Sequence, residues 1–198
     1  MCNSTVINLE EIEISNDPFH HFSRVNLFDN AFARKLLEWL ASDLNWEYTE
    51  TDFYTQYEFS LKDIIVPEDL ISVNSNETID YIRRIFSKVF NVVNLELVDV
   101  TIHMLLDGHK MGVHNDFIGG EESHRLVVQL NNGWNESKGG YLMLFNSRDP
   151  QDVSKLVQPR HNTAIGFAIS PNSYHAVSRV NNFERYTLVY TFKDLGNG

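Results

Sequence analysis

Three side chains in the C-terminal half of the sequence have the types needed to bind one metal ion. His114 and Asp116 are separated by one residue, and His175 follows much later in the chain. Two imidazoles and one carboxylate fill three positions of an octahedral metal and leave three for a co-substrate and O₂, as in non-haem Fe(II) oxygenase sites. We therefore predict that these three residues are the metal ligands and the catalytic centre.

The local sequence indicates how these ligands could meet. On an extended strand, residues two positions apart leave the same face, so His114 and Asp116 would project together, about 7 Å apart along the strand. His175 begins another β-like run, after a turn signal at residues 170–173. A single H-x-D sequence is common by chance, so the metal prediction depends on these features occurring together with a suitably placed arginine.

Arg185 is that arginine, and its position relative to His175 depends on a turn. Residues 175–192 have the pattern of a β-hairpin whose three-residue loop, 180–182, would set Val177 opposite Arg185. His175 and Arg185 would then share a face of the sheet. A two-residue loop would put them on opposite faces.

A guanidinium on the metal's side of the sheet has a clear use. Its planar fork can hold a distal carboxylate while the other end of the same ligand chelates the metal. Thr187, on the same face as Arg185, could donate a hydrogen bond from its hydroxyl group to that carboxylate.

Two more side chains are candidate substrate contacts. One is His103, which precedes a turn, and the other is Arg125, for which a surface salt bridge is about equally expected.

The composition limits the class of protein. The 198 residues contain 16 Lys and Arg against 27 Asp and Glu, and the net charge of −11 would repel nucleic acid phosphates and anionic membranes. Only Cys2 is present, which excludes an intrachain disulfide, and the sequence shows neither a signal peptide nor a membrane-spanning apolar stretch. We expect one soluble, cytoplasmic domain over residues 1–198, acting on a small molecule or a peptide and not on nucleic acid or a membrane.

Hydrophobic periodicity predicts two helices followed by many short strands. A strand at 22–27 precedes a helix at 30–42 capped by Asp29, and Asn76 is expected to cap a second helix at 77–91. The β-like runs then cover residues 97–106, 124–130, 141–145, 163–168, 175–180 and 185–192. This order predicts an α+β domain whose β part is a sandwich or jelly roll.

Two segments show no clear period. Residues 46–67 are polar with interspersed aromatic side chains, which either line a pocket, form a lid or pack an irregular segment onto the core. Residues 146–162 are charged and interrupted by proline, which favours a surface loop.

The chemistry-bearing residues lie in motifs that resemble those of Fe(II)- and 2-oxoglutarate-dependent dioxygenases, particularly the prolyl-hydroxylase-like branch. The matching motifs are His114-Asn115-Asp116, Tyr174-His175-Ala176-Val177-Ser178-Arg179-Val180 and Arg185-Tyr186-Thr187, with Leu130-Asn131, Trp134 and Gly139-Gly140-Tyr141-Leu142 between them. Residues 17–22 are similar to the opening of the ribosomal-protein prolyl-hydroxylase subgroup. The likeness covers residues 17–193.

The resemblance implies a double-stranded β-helix, a distorted jelly roll, with N-terminal flanking helices and a catalytic β-core over residues 95–193. It also implies that the three predicted ligands bind Fe(II) and that Arg185 pairs with the C5 carboxylate of 2-oxoglutarate. The chain departs from the family in two places. Leu105 stands where many relatives have a tyrosine, and Gln129 replaces a tyrosine near the co-substrate, although its amide could still donate a hydrogen bond.

The activity implied by the resemblance is hydroxylation of an unactivated C–H bond with O₂, during which 2-oxoglutarate gives succinate and CO₂. Asp116 argues against the halogenating members, which lack the carboxylate ligand. The expected substrate is an amino-acid residue in a peptide or an amino-acid-like small molecule. Alternatives are a prolyl hydroxylase of a protein substrate, a non-catalytic metal- and 2-oxoglutarate-binding sensor, and a cupin-like isomerase, which would not need Arg185.

Overall fold

The computed structural model describes residues 6–42 and 44–196, which contain two α-helices and twelve β-strands. Cys2 lies outside these residues. Neither of the two described helices is long and apolar enough to cross a membrane. Two short 3-10 helices, at Ile71–Asn74 and Glu136–Lys138, lie in connections between the main elements.

The first helix, α1 (Asn30–Leu40), begins where the sequence predicts. The Asp29 side chain accepts hydrogen bonds from the backbone N–H groups of Ala31 and Phe32, which satisfies donors that have no partner inside the helix. The buried residues of the helix recur at three- and four-residue intervals, so that one face packs on the core.

The second helix, α2 (Asn76–Phe90), corrects the predicted cap by one residue. Ser75 has extended backbone angles and its hydroxyl accepts from the Thr78 N–H, so Ser75 is the cap and Asn76 is already helical. The helix ends at Phe90. The next residue, Asn91, has a left-handed φ of +56°, a conformation that asparagine tolerates better than most residues.

The strands form two antiparallel sheets. In chain order they are β1 (Glu13–Ser15), β2 (His21–Val25), β3 (Glu47–Glu50), β4 (Thr55–Ser60), β5 (Leu95–Leu105), β6 (Met111–His114), β7 (His124–Gln129), β8 (Leu142–Phe145), β9 (Val153–Val157), β10 (Thr163–Ala168), β11 (His175–Val177) and β12 (Arg185–Asp194). The larger sheet has the order β1-β2-β10-β7-β12-β5-β4-β3, and the smaller has the order β6-β11-β8-β9. This architecture confirms the predicted double-stranded β-helix with helices on its N-terminal side.

The alternation of side chains along each strand decides what lies between the sheets. Even-numbered residues of β12, such as Leu188 and Tyr190, pack with the helices in one apolar cluster. A second cluster joins the sheets, with Leu144 from the smaller sheet and Phe167 from the larger. The odd-numbered residues of β12 therefore face the smaller sheet, which places Arg185 and Thr187 in the space between the two sheets.

The predicted hairpin over residues 175–192 is wrong. Strand β11 lies between β6 and β8 in the smaller sheet, whereas β12 lies between β7 and β5 in the larger sheet. The chain therefore passes from one sheet to the other after Val177, and Arg185 is opposite Leu105 on β5. A local turn signal is the same for a hairpin and for a crossover between facing sheets, and here the crossover occurs.

Two segments without a clear period contain regular structure. Strands β3 and β4 pair as a hairpin within residues 46–67. The predicted surface loop at 146–162 contains β9, which is the edge strand of the smaller sheet and pairs with β8. The sequence of β9, Val-Ser-Lys-Leu-Val, does not alternate apolar and polar residues and none of the five is buried, so periodicity does not identify this strand.

Candidate metal centre

The three predicted metal ligands meet between the sheets. One donor atom each from His114, Asp116 and His175 can be chosen so that all three lie within 4.8 Å of one another. Nε2 of His114 is 3.4 Å from one carboxylate oxygen of Asp116, and Nε2 of His175 is 3.1 Å from the other. His114 and His175 are directly opposite on β6 and β11, so strand pairing fixes the two imidazoles relative to each other.

Asp116 reaches the centre in a different way from the one predicted. Strand β6 ends at His114, so the two ligands do not project from one extended segment. Asp116 lies beyond the strand with a left-handed φ of +58°, and this turn brings its carboxylate back toward the histidines. Left-handed angles cost energy for residues other than glycine, and aspartate is among the types that tolerate them.

Backbone carbonyl groups fix the orientation of both imidazoles. Nδ1 of His114 donates to the Gly112 carbonyl at 2.9 Å, and Nδ1 of His175 donates to the Ser173 carbonyl at 2.8 Å. A carbonyl can only accept, so each Nδ1 carries a hydrogen and each Nε2 is turned toward the centre. This is the second interaction that metal-ligating histidines usually make.

The protonation states of His114 and Asp116 favour the binding of a metal cation. Burial, assisted by the nearby charge of His175, lowers the pKa of His114 to about 4. Burial by itself would raise the pKa of Asp116, but the hydrogen bond from His175 and the charge of Arg125 hold it well below its usual range. Neutral His114 therefore presents a lone pair to an ionised carboxylate 3.4 Å away, which is repulsive unless a cation lies between them. The donor set thus fits a bound Fe(II).

Arg185 lies in the same cavity as His114 and His175. It is 3% exposed, and it donates from Nε to the Gly140 carbonyl and from Nη1 to the Thr187 hydroxyl, both at 2.9 Å. No described carboxylate lies within ion-pair distance of it, and burial lowers its pKa to about 10, so it stays charged. A buried charge without a counter-ion is costly, which indicates that an anionic ligand belongs in this cavity.

Gln129 is a further buried polar residue, on the strand next to that of Arg185. It is opposite Thr187 on the neighbouring strand, so both side chains leave the same face of the sheet. Its Nε2 is buried and has no hydrogen-bond partner among the described residues. An orphaned donor opposite Thr187 suits the same carboxylate that Arg185 and Thr187 would hold.

The two predicted substrate contacts also line the cavity. His103 is opposite both Thr187 and Glu58, and its Nε2 lies 3.3 Å from the Thr101 hydroxyl and 3.7 Å from the Glu58 carboxylate. Burial lowers the pKa of His103 to about 4, so it is neutral near pH 7.

Arg125 already has partners within the chain. Its two terminal nitrogens contact the carboxylates of Asp116 and Glu122. The structure therefore places both candidate contacts at the cavity, and it gives Arg125 ion pairs within the chain, the alternative that the sequence also predicts.

Some residues at the site were not identified from sequence. Gly140 has a φ of +68°, and a Cβ there would lie 2.9 Å from Cδ of Arg185, so only glycine lets this carbonyl approach the guanidinium. Gly112 donates to the Phe53 carbonyl at 2.7 Å, and the Phe53 ring lies 5.7 Å from that of His114. The aromatic residues of segment 46–67 therefore have two different roles: Phe53 borders the metal centre, and Phe59 is buried in the core.

Comparison with known proteins agrees with this geometry. Residues 100–193 match the model of the 2OG-Fe(II) oxygenase superfamily. The chain is 25% identical over 177 residues to a prolyl 3-hydroxylase, OGFOD1, of Xenopus laevis. The match covers 88% of this chain and 33% of that protein, so the chain spans about a third of the relative's length.

Solved structures show the same fold at low identity. A prolyl-4-hydroxylase from Pseudomonas putida superimposes with a TM-score of 0.72 at 16% identity, covering 89% of this chain and 93% of that one. A prolyl hydroxylase from Trichoplax adhaerens, in complex with a hypoxia inducible factor peptide fragment, has a TM-score of 0.72 at 13% identity, with coverage of 88% and 83%.

Proposed function

We infer that the chain, whose residues 100–193 form the core of a 2OG-Fe(II) oxygenase, hydroxylates an amino-acid residue in a peptide or protein. It is a 2-oxoglutarate-dependent dioxygenase that uses Fe(II) and O₂. We assign His114, Asp116 and His175 as the iron ligands. We also propose that residues 1–198 act as one domain.

The observation that carries this proposal is the content of one cavity. At one place two imidazoles and a carboxylate face each other, and at another a buried guanidinium has no described anionic partner. A dicarboxylate with a 2-oxo acid at one end matches both, because one end can chelate a metal while the other pairs with a guanidinium. This feature favours the proposal over a cupin-like isomerase, which would not need an arginine in register with a carboxylate-bearing co-substrate.

The chain's residues would hold, orient and shield the reactants. Bound Fe(II) supplies the oxidation chemistry, in which O₂ is consumed and 2-oxoglutarate is converted to succinate and CO₂. Arg185 and Thr187 would hold the distal carboxylate, with Gln129 donating from the neighbouring strand. Apolar side chains of the cavity exclude water from the reacting groups; they include Leu105, Leu142 and Val177.

The substrate would reach the centre from an open groove. His114 lines both the buried cavity and a groove of about 400 Å³ that is also bordered by Phe53 and Tyr174. Phe53 is 47% exposed although it lies beside a predicted metal ligand, so it can contact a ligand in the groove. A groove that joins the metal centre to the surface would let one side chain of a peptide reach the centre while the rest of the peptide lies outside.

We propose proline as the residue that is oxidised. Support comes from the relatives, since the similar sequence and both similar structures are prolyl hydroxylases by their descriptions. Location in the cytoplasm and the exclusion of nucleic acid and membrane partners stay predictions from composition.

The proposal is tested by incubating the protein with Fe(II), 2-oxoglutarate, O₂ and a library of proline-containing peptides. We expect succinate release coupled to the gain of one oxygen atom on proline, detected by mass spectrometry. A matched library with proline replaced by alanine should give neither. Coupled oxidation of another residue would overturn the proline assignment, and absence of 2-oxoglutarate turnover with every peptide would favour the sensor.

A further inference from the structure

Arg125 joins a predicted iron ligand to a second carboxylate. Its Nη1 donates to Oδ2 of Asp116 at 2.7 Å, and its Nη2 donates to Oε2 of Glu122 at 2.5 Å. The Arg125 side chain is 21% exposed and that of Asp116 is 13% exposed, so solvent screens the first contact only partly. One guanidinium therefore bridges two acidic side chains beside the metal centre.

This bridge closes the loop of residues 116–122. Asp116 lies at its start and Glu122 at its end, and both bind the same side chain on β7. The loop contains Gly119 and Gly120, both with positive φ, and Asp116 lies beyond the end of β6. Strand pairing therefore does not fix the carboxylate of Asp116. The neighbouring backbone is held by Asn115, whose side chain donates to the Pro171 carbonyl and whose carbonyl accepts from the Ser173 hydroxyl, so the contacts of the Asp116 side chain decide the orientation of its carboxylate.

Only one of those contacts can persist when a metal binds. Within the described ranges, the side chains at ion-pair distance from Asp116 are His114, His175 and Arg125. With its Nε2 lone pair directed to the metal, neither histidine has a proton on that nitrogen with which to hold the carboxylate. A guanidinium cannot bind a metal, and it remains free to donate to the carboxylate.

Glu122 offsets the positive charge that Arg125 places beside the metal centre. A guanidinium beside a divalent cation repels it, and the repulsion is strong where burial limits screening. The second carboxylate offsets that charge: Arg125, Asp116 and Glu122 together carry one net negative charge. Replacing Glu122 by glutamine would leave the group neutral and would weaken its attraction for a dication.

We propose that Arg125 is a positioning residue, which holds Asp116 in the orientation of a metal ligand while Glu122 compensates its charge. This proposal rests on the iron site proposed above. Arg125 then acts through Asp116, and its role differs from the substrate contact expected from sequence. Loss of such an outer contact typically weakens metal binding by about 10- to 100-fold.

The experiment measures metal affinity and ligand geometry without turnover. Metal-free protein is titrated with Co(II), and the visible absorption of the bound ion reports both the Kd and the coordination. We expect Arg125→Gln to raise the Kd by about 10- to 100-fold with an altered spectrum, and Arg125→Lys to recover only part of the loss because an ammonium lacks the planar fork. Glu122→Gln should raise the Kd several-fold with a nearly unchanged spectrum.

Arg83→Gln is the matched control. Arg83 forms an ion pair with Asp80 at the same three-residue spacing, but on the exposed side of α2. It should bind Co(II) like the wild type. Thermal melting of the metal-free proteins shows which variants are folded, and Arg125→Lys and Glu122→Gln keep the test valid if Arg125→Gln does not fold.

The outcomes separate this proposal from the iron site itself. Wild-type Kd and spectrum in folded Arg125→Gln, with no binding by His175→Ala, would overturn the role of Arg125 and leave the iron site intact. Tighter Co(II) binding in Arg125→Gln would also overturn it, because the guanidinium would then only compete with the metal. Failure of the wild type to bind Co(II) would count against the iron site.

Discussion

Arg185→Met should separate co-substrate binding from folding. In the protein without ligands, the guanidinium is buried, charged and without a described carboxylate partner. Methionine keeps much of the side-chain volume and removes this uncompensated charge. It also removes the hydrogen bonds to the Gly140 carbonyl and the Thr187 hydroxyl.

The substitution should have a large effect on the affinity for 2-oxoglutarate and a small effect on the free energy of unfolding. Hydrogen bonds to charged groups contribute about 1.5–3 kcal/mol each, so losing a two-pronged contact to carboxylate should cost about 3–6 kcal/mol. That is a rise of about 10²- to 10⁴-fold in the Kd for 2-oxoglutarate, since each 1.4 kcal/mol is about tenfold. Without ligand, removal of the buried charge offsets the lost hydrogen bonds, and the free energy of unfolding should change by only about 1 kcal/mol.

The assay is anaerobic titration with 2-oxoglutarate in the presence of Mn(II), together with melting temperatures with and without both ligands. Arg24→Met is the matched control, because Arg24 is also buried but bonds to Asn8 and Glu11 away from the cavity. It should lose stability and keep its affinity for 2-oxoglutarate. Wild-type affinity in Arg185→Met, or a large loss of unfolding free energy without ligand, would refute the reasoning.

Three further predictions concern Gly140, Gln129 and the buried His124. Gly140→Ala forces a side chain into a left-handed backbone and against Arg185, so it should lower the unfolding free energy by about 1–2 kcal/mol and weaken 2-oxoglutarate binding; an unchanged Kd would contradict this. Gln129→Leu deletes the orphaned donor and should raise that Kd by about tenfold in the same titration, whereas tighter binding would show that the amide has no ligand contact. Burial lowers the pKa of His124 to about 4, so its neutral form stabilises the fold above pH 6.5 and this stability is lost as the pH falls toward 4. Between pH 7.5 and 5 the group should account for about 2 kcal/mol of that loss, so urea unfolding of His124→Gln should show a shallower acid decline than the wild type.

The sequence was informative where structure depends on neighbouring residues. The cap at Asp29 and the apolar periodicity of α1 are local properties, and both were predicted. Alternation along β7 put Arg125 on the same face as Val127, and both line the cavity. The three ligands and Arg185 are recognisable from their chemistry together with their order and spacing along the chain.

The rest depends on contacts between distant parts of the chain. Whether residues after Val177 turn back beside β11 or cross to the other sheet depends on which strands flank β11, and the turn sequence does not contain that information. The left-handed backbone of Asp116 and the bridge from Arg125 to Glu122 are likewise products of tertiary structure. Gly140 differs from these features, because its role could have been predicted from sequence: a glycine pair ahead of a β-like run often marks a close backbone approach.

The most direct test of the proposed centre is an anaerobic titration of the protein with Fe(II) and 2-oxoglutarate, followed by visible absorption. Chelation of iron by the 2-oxo acid should produce a metal-to-ligand charge-transfer band in the wild type and in His161→Ala, a control histidine outside the ligand group. The band should be absent in His175→Ala. A band of equal intensity in His175→Ala, or none in the wild type at saturating ligand, would contradict the assignment of the iron site.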